Sequence, residues 1–488
     1  MVHKNDNKVF LDRLRKVISS DNLVEDREGL KVYRKDGLAG YSGYPLVVAI
    51  PNSEAQTSKI LKICSEFSVP VVTRGAGTGL SGGATPIKDC LVLSTARMNK
   101  VISINEEQRS ATVQPGVRNL EISNKVSGLG LFYAPDPSSQ IACSIGGNLA
   151  ENSGGVHCLK YGLTFHNVLR ARVLNYRGEV FEVGSEALDS PGLDLLALLI
   201  GSEGMLGVIT EITVKLLPKP SAAKVMMASF DDVEIAANAV ANIISNGILP
   251  AGLEMMDQGM TAAVEEFVHA GYDVNAEAIL LCESDGSPGE VEEEISLIKD
   301  IFQSSGATKL SVSNSEAERS LIWSGRKNAF PASGRISPDY YCIDGTIPRN
   351  KLGKMLKNIS ELEKKYSLRC LNVFHAGDGN LHPLILFDAS KDGEFEKTEN
   401  FGEEILSLCV KYGGTITGEH GVGLEKLGSM CVQFSKLERD AFFSVKRSFD
   451  PEILLNPGKV VPSLSRCIEK GRVHVEKDKE RFPEIAHF

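Results

Sequence analysis

Arg74-Gly75-Ala76-Gly77-Thr78-Gly79-Leu80-Ser81-Gly82-Gly83-Ala84 follows directly on the apolar run Val69-Pro70-Val71-Val72-Thr73. Five glycines in this span let the backbone take φ > 0 and bring several N–H groups close to one bound group, with no Cβ atoms in the way. The natural guest is a phosphate. Gly77-Thr78-Gly79-Leu80-Ser81-Gly82 satisfies G-x-G-x-x-G, but that pattern reads as a Rossmann fingerprint only where a helix follows and an acid stands about 20 residues on. Neither condition holds: Pro86 comes soon after Gly82, and the next ordered run, Cys90–Ser94, is short, apolar and strand-like. The loop therefore reads as a pyrophosphate cradle outside the Rossmann fold or as a tight turn between strands.

A chain of 488 residues exceeds what one hydrophobic core serves, so two or more domains are expected. Its 42% hydrophobic and 24% charged residues are those of a globular protein, and no apolar run approaches the ~18 residues of a membrane span. A formal net charge of −10 argues against nucleic acid as a partner. Met1–Lys8 leads into a helix-like segment with Arg13, Arg15 and Lys16, not into a signal-peptide core, so a cytoplasmic protein is expected. The ten cysteines are scattered singly, which speaks against a thiolate-bound iron–sulfur cluster or structural zinc and for buried reduced thiols.

Before the loop, Leu46–Ile50 is a strand, and Ser53 with Gln56 makes a capping box for a helix carrying Ile60, Leu61, Ile63 and Phe67. The loop thus leaves the carboxyl end of a strand in a β-α-β context, where open sheets bind ligands. Farther back, Phe10, Leu14, Val17 and Ile18 form one apolar helix face. After the loop, 101–104 with 111–114 and 168–176 with 180–183 read as hairpins. Between them lies a second small-residue segment, Pro135–Asn148, followed by Asn152-Ser153-Gly154-Gly155; a third, Gly201–Gly207, precedes a strand over 208–216. Three such loops in one block suggest one large, extended cofactor.

Leu217-Pro218-Lys219-Pro220 reads as a linker. Beyond it, strands (225–230, 248–255, 277–283, 307–312) alternate with helices (231–246, 258–270, 288–304), and further strands (340–347, 368–375, 381–388) surround a helix over 350–366. This second α/β or α+β domain has no phosphate loop, so its job is to cover or complete a site. Its densest chemistry is Asn372–His382, where His375 and His382 flank a Gly-Asp-Gly-Asn turn; Gly418-Glu419-His420-Gly421 adds a carboxylate and another imidazole. His375, His382 and Glu419 suit a divalent cation with one position open for substrate. The alternative is that each histidine is satisfied separately at its turn. Neighbours on a regular strand face opposite sides, so irregular backbone is expected around Glu419 and His420.

In their order and spacing, Arg74–Ala84, Pro135–Asn148, Gly201–Gly207, His375–His382 and Gly418–Gly421 resemble the FAD-linked 2-hydroxyacid dehydrogenases of the vanillyl-alcohol oxidase type. Tyr133–Leu163 and Arg326–Pro348 are similar to the FAD-linked subunits of bacterial glycolate oxidase within that family, and the resemblance runs from about Gly43 to Asn456-Pro457-Gly458-Lys459. It implies an α+β fold: a two-lobed FAD-binding domain plus a cap domain with an antiparallel sheet flanked by helices. The expected division is an N-terminal helical segment at 1–42, the FAD-binding domain at 43–219, the cap with the metal-ligand loop at 220–418, and a C-terminal segment at 419–488 that returns to the FAD domain.

By the same resemblance, Arg74, Gly75, Ala76, Gly77, Thr78, Gly79 and Ser81 hold the FAD pyrophosphate, while Pro135, Asp136, Ser144, Gly146, Gly147, Asn148, Gly204 and Ile209 line the rest. His157 does not obviously supply the covalent tether of some relatives, so non-covalent FAD is expected. A small D-2-hydroxy acid would sit on Zn or Mn held by His375, His382 and Glu419, with its carboxylate clamped by Arg326. His420 would take the hydroxyl proton while hydride passes to flavin N5. The alternative for Arg326 is a solvated helix arginine. Dicarboxylate-oxidising relatives carry an extra cation on the strand matching Asp339–Asp344; tyrosines and Cys342 stand there in this chain, so glycolate or D-lactate is expected over 2-hydroxyglutarate. Further flavin and iron–sulfur subunits of a glycolate oxidase complex are the implied partners, with peripheral contact at the inner face of the cell membrane through them. Other readings stay open: a D-2-hydroxyglutarate dehydrogenase-like enzyme, an electron-transfer flavin subunit with little activity alone, and a flavin-free metallohydrolase that uses the His/His/Glu set.

Overall fold

The structure is a computed structural model that describes residues 4–187 and 192–462. In the first lobe, β1 (Leu23–Val24), β2 (Val47–Ala49), β3 (Val71–Arg74) and β4 (Leu91–Ser94) form a sheet in the order β1-β2-β4-β3, with β4 parallel to both neighbours. Alternation divides its side chains: Val47, Ala49, Val71, Leu91 and Leu93 pack under α1 (Lys4–Arg15) and α2 (Glu54–Glu66), while Val48, Val72 and Val92 face the other way. Phe10, Leu14 and Ile18 are buried against this sheet, as their spacing predicts. The Ser53 hydroxyl caps α2 by accepting the Gln56 N–H, but Gln56 Oε1 takes the N–H of Asn52 instead of completing a box on Ser53. From β3 the chain runs through the glycine loop to β4 with no helix between, which removes the Rossmann reading.

The second lobe is antiparallel. β5 (Val101–Asn105), β6 (Ser110–Val113), β8 (Val168–Leu174), β9 (Val180–Gly184) and β10 (Val208–Lys215) lie in the order β5-β6-β10-β8-β9, and Ile145 and Leu149 of α3 (Ile145–Glu151) pack on the core beneath. The proline segment expected to be a linker is paired: β11 (Leu217–Pro218) bonds to β7 (Leu131–Phe132).

The cap is built on a seven-stranded antiparallel sheet of β12 (Ala222–Phe230), β13 (Gly252–Asp257), β14 (Ala278–Gly286), β15 (Lys309–Val312), β16 (Asp339–Cys342), β17 (Cys370–His375) and β18 (Asn380–Phe387), in the order β15-β12-β14-β13-β17-β18-β16. The helices Val233–Ser245, Pro288–Ser304, Leu352–Tyr366 and Glu394–Lys411 pack on one face, while Gln258–Val268 and α4 (Glu316–Lys327) pack on the other. The registers Met255↔Phe374, Val373↔His382 and Cys342↔Leu384 place Glu254, His375, His382 and Cys342 on the second face.

After α5 (Lys436–Phe449) the chain returns to the first lobe. The Val71 N–H donates to Leu454 O and the Asn456 N–H donates to Val71 O, both at 2.8 Å, so this tail extends the sheet beside β3.

Candidate active site

A cavity of about 380 Å³ joins the glycine-rich loops to the cap. Its walls on the loop side include Gly75–Gly79, Ser144, Gly146, Gly147, Asn148, Gly204 and Ile209. No protein group among the described residues engages the amide N–H of Gly75, Ala76, Gly77, Thr78 or Gly79. The reason lies in the packing. Gly77 has φ +74°, and a Cβ there would lie 2.1 Å from the Arg74 guanidinium. A Cβ at Gly75 would lie 2.2 Å from the Ser144 hydroxyl. Glycine at 75 and 77 thus lets the loop lie close against its neighbours, with its amides left over.

On the cap side the cavity is lined by Arg326, Phe330, His382, Glu419 and His420. Glu419 Oε1 is 2.8 Å from His382 Nε2 and 3.2 Å from His375 Nε2. One donor atom from each of these three residues lies within 4.8 Å of the others, which is a ligand-type convergence. Behind them sits Glu254: its Oε1 is 2.8 Å from His375 Nδ1, and its Oε2 accepts from Arg326 Nε at 2.5 Å. Burial opposes the charges here, yet Glu254 and Glu419 hold His375 well above the ordinary histidine range. Conversely, His375 and His382 hold Glu419 well below the ordinary carboxylate range against the effect of its burial.

Glu419 and His420 reach one site because they do not lie on a strand. The segment bends, and the Asp344 carboxylate accepts the N–H groups of Gly418, Glu419 and His420 at 3.1, 3.2 and 2.9 Å. Gly421 closes the bend at φ +84°. The His420 ring stacks on His382 with centroids 5.0 Å apart. Burial lowers the His420 pKa to about 4, with Asp344 opposing and His382 reinforcing the effect. It is thus a neutral acceptor at pH 7, not the near-neutral titrating group that its type suggests.

Four residues expected at the cofactor do not line the cavity. Arg74 lies beneath the loop and donates from Nη1 to Lys35 O at 2.9 Å. Ser81 is fully buried, its carbonyl accepting from Leu424 and Glu425. Pro135 O accepts from Asn119 Nδ2 at 3.0 Å, and Asp136 Oδ2 pairs with His157 Nδ1 at 2.7 Å. Arg326 is buried with its side chain 1% exposed, so the solvated-helix alternative is excluded. Glu254 and Asp344 were not anticipated. Each is a lone acid in an apolar strand-like run, Leu253-Glu254-Met255 and Ile343-Asp344, and that signal could have found them.

Two family models match this chain: the FAD binding domain over residues 45–184 and the C-terminal domain of FAD linked oxidases over residues 219–460. It is 56% identical over 475 residues to the glycolate oxidase subunit GlcD of Escherichia coli (strain K12), covering 97% of this chain and 95% of that one. The chain belongs to the FAD-linked oxidases. It is also 39% identical to the glycolate oxidase subunit GlcD of Bacillus subtilis (strain 168), covering 93% of this chain and 97% of that one. A D-lactate dehydrogenase of Anaerostipes hadrus is 31% identical, with 92% and 95% covered. Among solved structures, substrate-bound p-cresol methylhydroxylase aligns with a TM-score of 0.81 at 17% identity, over 95% of this chain and 98% of that one. The 4-ethylphenol oxidase of Gulosibacter chungangensis aligns with 0.78 at 18% identity, over 95% and 99%. These neighbours establish the vanillyl-alcohol oxidase type of fold.

The unclaimed amides of Gly75–Gly79 in this FAD-linked oxidase fit the pyrophosphate of FAD, since they offer several donors to one anion. Two imidazoles and a carboxylate likewise fit a divalent cation, and Glu254 behind His375 is the kind of outer carboxylate that orients a ligating imidazole. This FAD-linked oxidase has no helix among its described residues long and apolar enough to cross a membrane.

Proposed function

We propose that this FAD-linked oxidase oxidises a small 2-hydroxy acid, glycolate to glyoxylate or D-lactate to pyruvate. The observation that carries this reading is one cavity shared by the Gly75–Gly79 cradle and by Arg326, His382, Glu419 and His420. The printed names of the relatives, glycolate oxidase subunit and D-lactate dehydrogenase, support the substrate class.

When bound, FAD supplies the two-electron acceptor, and Zn or Mn held by His375, His382 and Glu419 supplies positive charge that favours the substrate alkoxide. The protein's own residues do the rest. Glu254 pins the Arg326 guanidinium so that its remaining N–H groups meet the substrate carboxylate in one orientation. His420 accepts the hydroxyl proton on its cavity-facing nitrogen, because burial keeps the ring neutral. Asp344 fixes the backbone that presents both His420 and Glu419. Both ring nitrogens of His157 are committed to Asp136 and Glu283, which supports FAD held without a covalent bond.

A small substrate is supported by β16, which offers Tyr340 and Cys342 on this face and no cation; Lys327 of α4 is the other cation on the cavity wall. Electrons pass to further flavin and iron–sulfur subunits, a reading supported by the relatives being named subunits and by a sequence that holds no C-x-x-C or other close-set cysteine ligands. Contact with the inner face of the membrane comes through that complex.

The test is anaerobic mixing of the purified flavoprotein with glycolate or D-lactate. Bleaching of the flavin band, lost in His420→Ala and after chelator treatment, is expected. A colourless preparation with full activity would overturn the reading.

A further inference from the structure

His382 belongs to two donor sets. Beside the His375–His382–Glu419 set, Cys342, His382 and His420 also offer one donor atom each, all within 4.8 Å of one another. The register explains why. Cys342 pairs with Leu384, two residues along β18 from His382, so thiol and imidazole are diagonal neighbours on one face of the sheet. His420 is stacked on His382 with the rings 8° from parallel. Two observations show that this second set is open. The Nδ1 atoms of His382 and His420 are both buried without a hydrogen-bond partner, whereas His375 Nδ1 has Glu254. Cys342 is 7% exposed, and its thiol has one long contact, 3.7 Å to Ile343 O.

A neutral imidazole has a single nitrogen lone pair, so His382 serves one cation at a time. With Nε2 unprotonated it completes the oxygen-containing set and leaves an Nδ1–H without an acceptor. In the other tautomer, Nε2–H can donate to Glu419 Oε1 at 2.8 Å, and Nδ1 is free to bind metal. We infer that Cys342, His382 and His420 form an alternative site for a soft, thiophilic cation, which competes with the His375–His382–Glu419 set for His382 and takes up His420. Binding releases the thiol proton to solvent and forms a metal–sulfur bond. Soft ions therefore inhibit by position, not by displacing FAD. The inhibition rests on the base role proposed for His420; the coordination itself does not.

Cadmium(II) is the probe, added to chelator-treated, FAD-loaded protein. Wild type is expected to bind one equivalent with an ultraviolet thiolate-to-cadmium charge-transfer band, which the sulfur-free set cannot give. Cys342→Ser and Cys342→Ala are expected to lose that band while retaining FAD. Cys158→Ser is expected to keep it, which matters because Cys158 also stands near the Glu419 carboxylate. Absence of the band in wild type, its survival in both Cys342 variants, or its loss in Cys158→Ser overturns the inference. Substrate-dependent bleaching with manganese(II) tests the dehydrogenase reading separately, so either can fail alone.

Discussion

The Asp344 carboxylate accepts the backbone N–H of His420 at 2.9 Å while also holding Gly418 and Glu419, so one buried acid sets the position of both a metal-ligand candidate and the proposed base. Lys426 Nζ stands 3.3 Å from the same carboxylate, with neither side chain exposed. Asp344→Asn removes the charge and sets an N–H₂ group against these donors. Metal affinity should fall about 10–100-fold, as for other lost outer-sphere partners, and the melting temperature should drop because Lys426 loses one of its two buried counter-ions and keeps only Glu425, also at 3.3 Å. Metal content after dialysis and a thermal melt check this; wild-type values for both contradict it.

Gly77 and Gly79 make a matched pair. At Gly77 a side chain meets the Arg74 guanidinium in a left-handed backbone conformation, whereas a Cβ at Gly79 meets nothing within 4 Å. Gly77→Val should lose most of its FAD on gel filtration and Gly79→Ala should keep it, read as the ratio of flavin to protein absorbance. Equal retention in the two variants would remove the loop from the cofactor site.

Glu254 ties His375 to Arg326 in a pair whose side chains are each 1% exposed. Glu254→Gln keeps the shape and removes the charge, so kcat/KM for the 2-hydroxy acid should fall about 10–100-fold, with part of the loss in metal affinity. Excess metal should restore only that part. Full recovery would mean that Glu254 does not position Arg326.

Stability should carry a signature of Asp257, which accepts from Asn372 and Met260 and whose carboxyl is pushed up to about 6 by burial. A carboxyl raised in the folded state binds its proton more tightly there than in the unfolded chain. Its contribution is therefore greatest below the ordinary carboxylate range and is lost as pH rises through about 6. The unfolding free energy of wild type minus that of Asp257→Asn should decline across this window by up to roughly 1.4 kcal/mol per pH unit. A flat difference in urea titrations contradicts the assignment.

With Tyr340 and Cys342 where a second cation would stand, 2-hydroxyglutarate should be a poorer substrate than glycolate or D-lactate by about 10–100-fold in kcat/KM. Cys342→Lys should narrow that gap. Comparable kcat/KM values in wild type refute the small-acid preference.

The sequence by itself determined the local chemistry. Glycine spacing in Arg74–Ala84 marked a backbone able to hold an anion, and Pro86 denied it a Rossmann helix. The spacing of Phe10, Leu14 and Ile18 marked a buried helix face, and His375, His382, Glu419 and His420 stood out because two short glycine-bracketed segments hold them all. These readings depend on neighbours in the chain, and neighbours are visible in a sequence. Tertiary structure alone decided which side chains meet. Asp136 resembled a cofactor residue but turned to His157, Arg74 went beneath its own loop, and Glu254 of β13 joined the site together with Cys342 at the end of β16 and Asp344 two residues beyond it. Strand register across the cap sheet brings Glu254, His375, His382 and Cys342 onto one face, and a slip of one residue in a strand would send its side chain to the opposite face. That register is set by packing between segments far apart in the chain, so no local pattern discloses it.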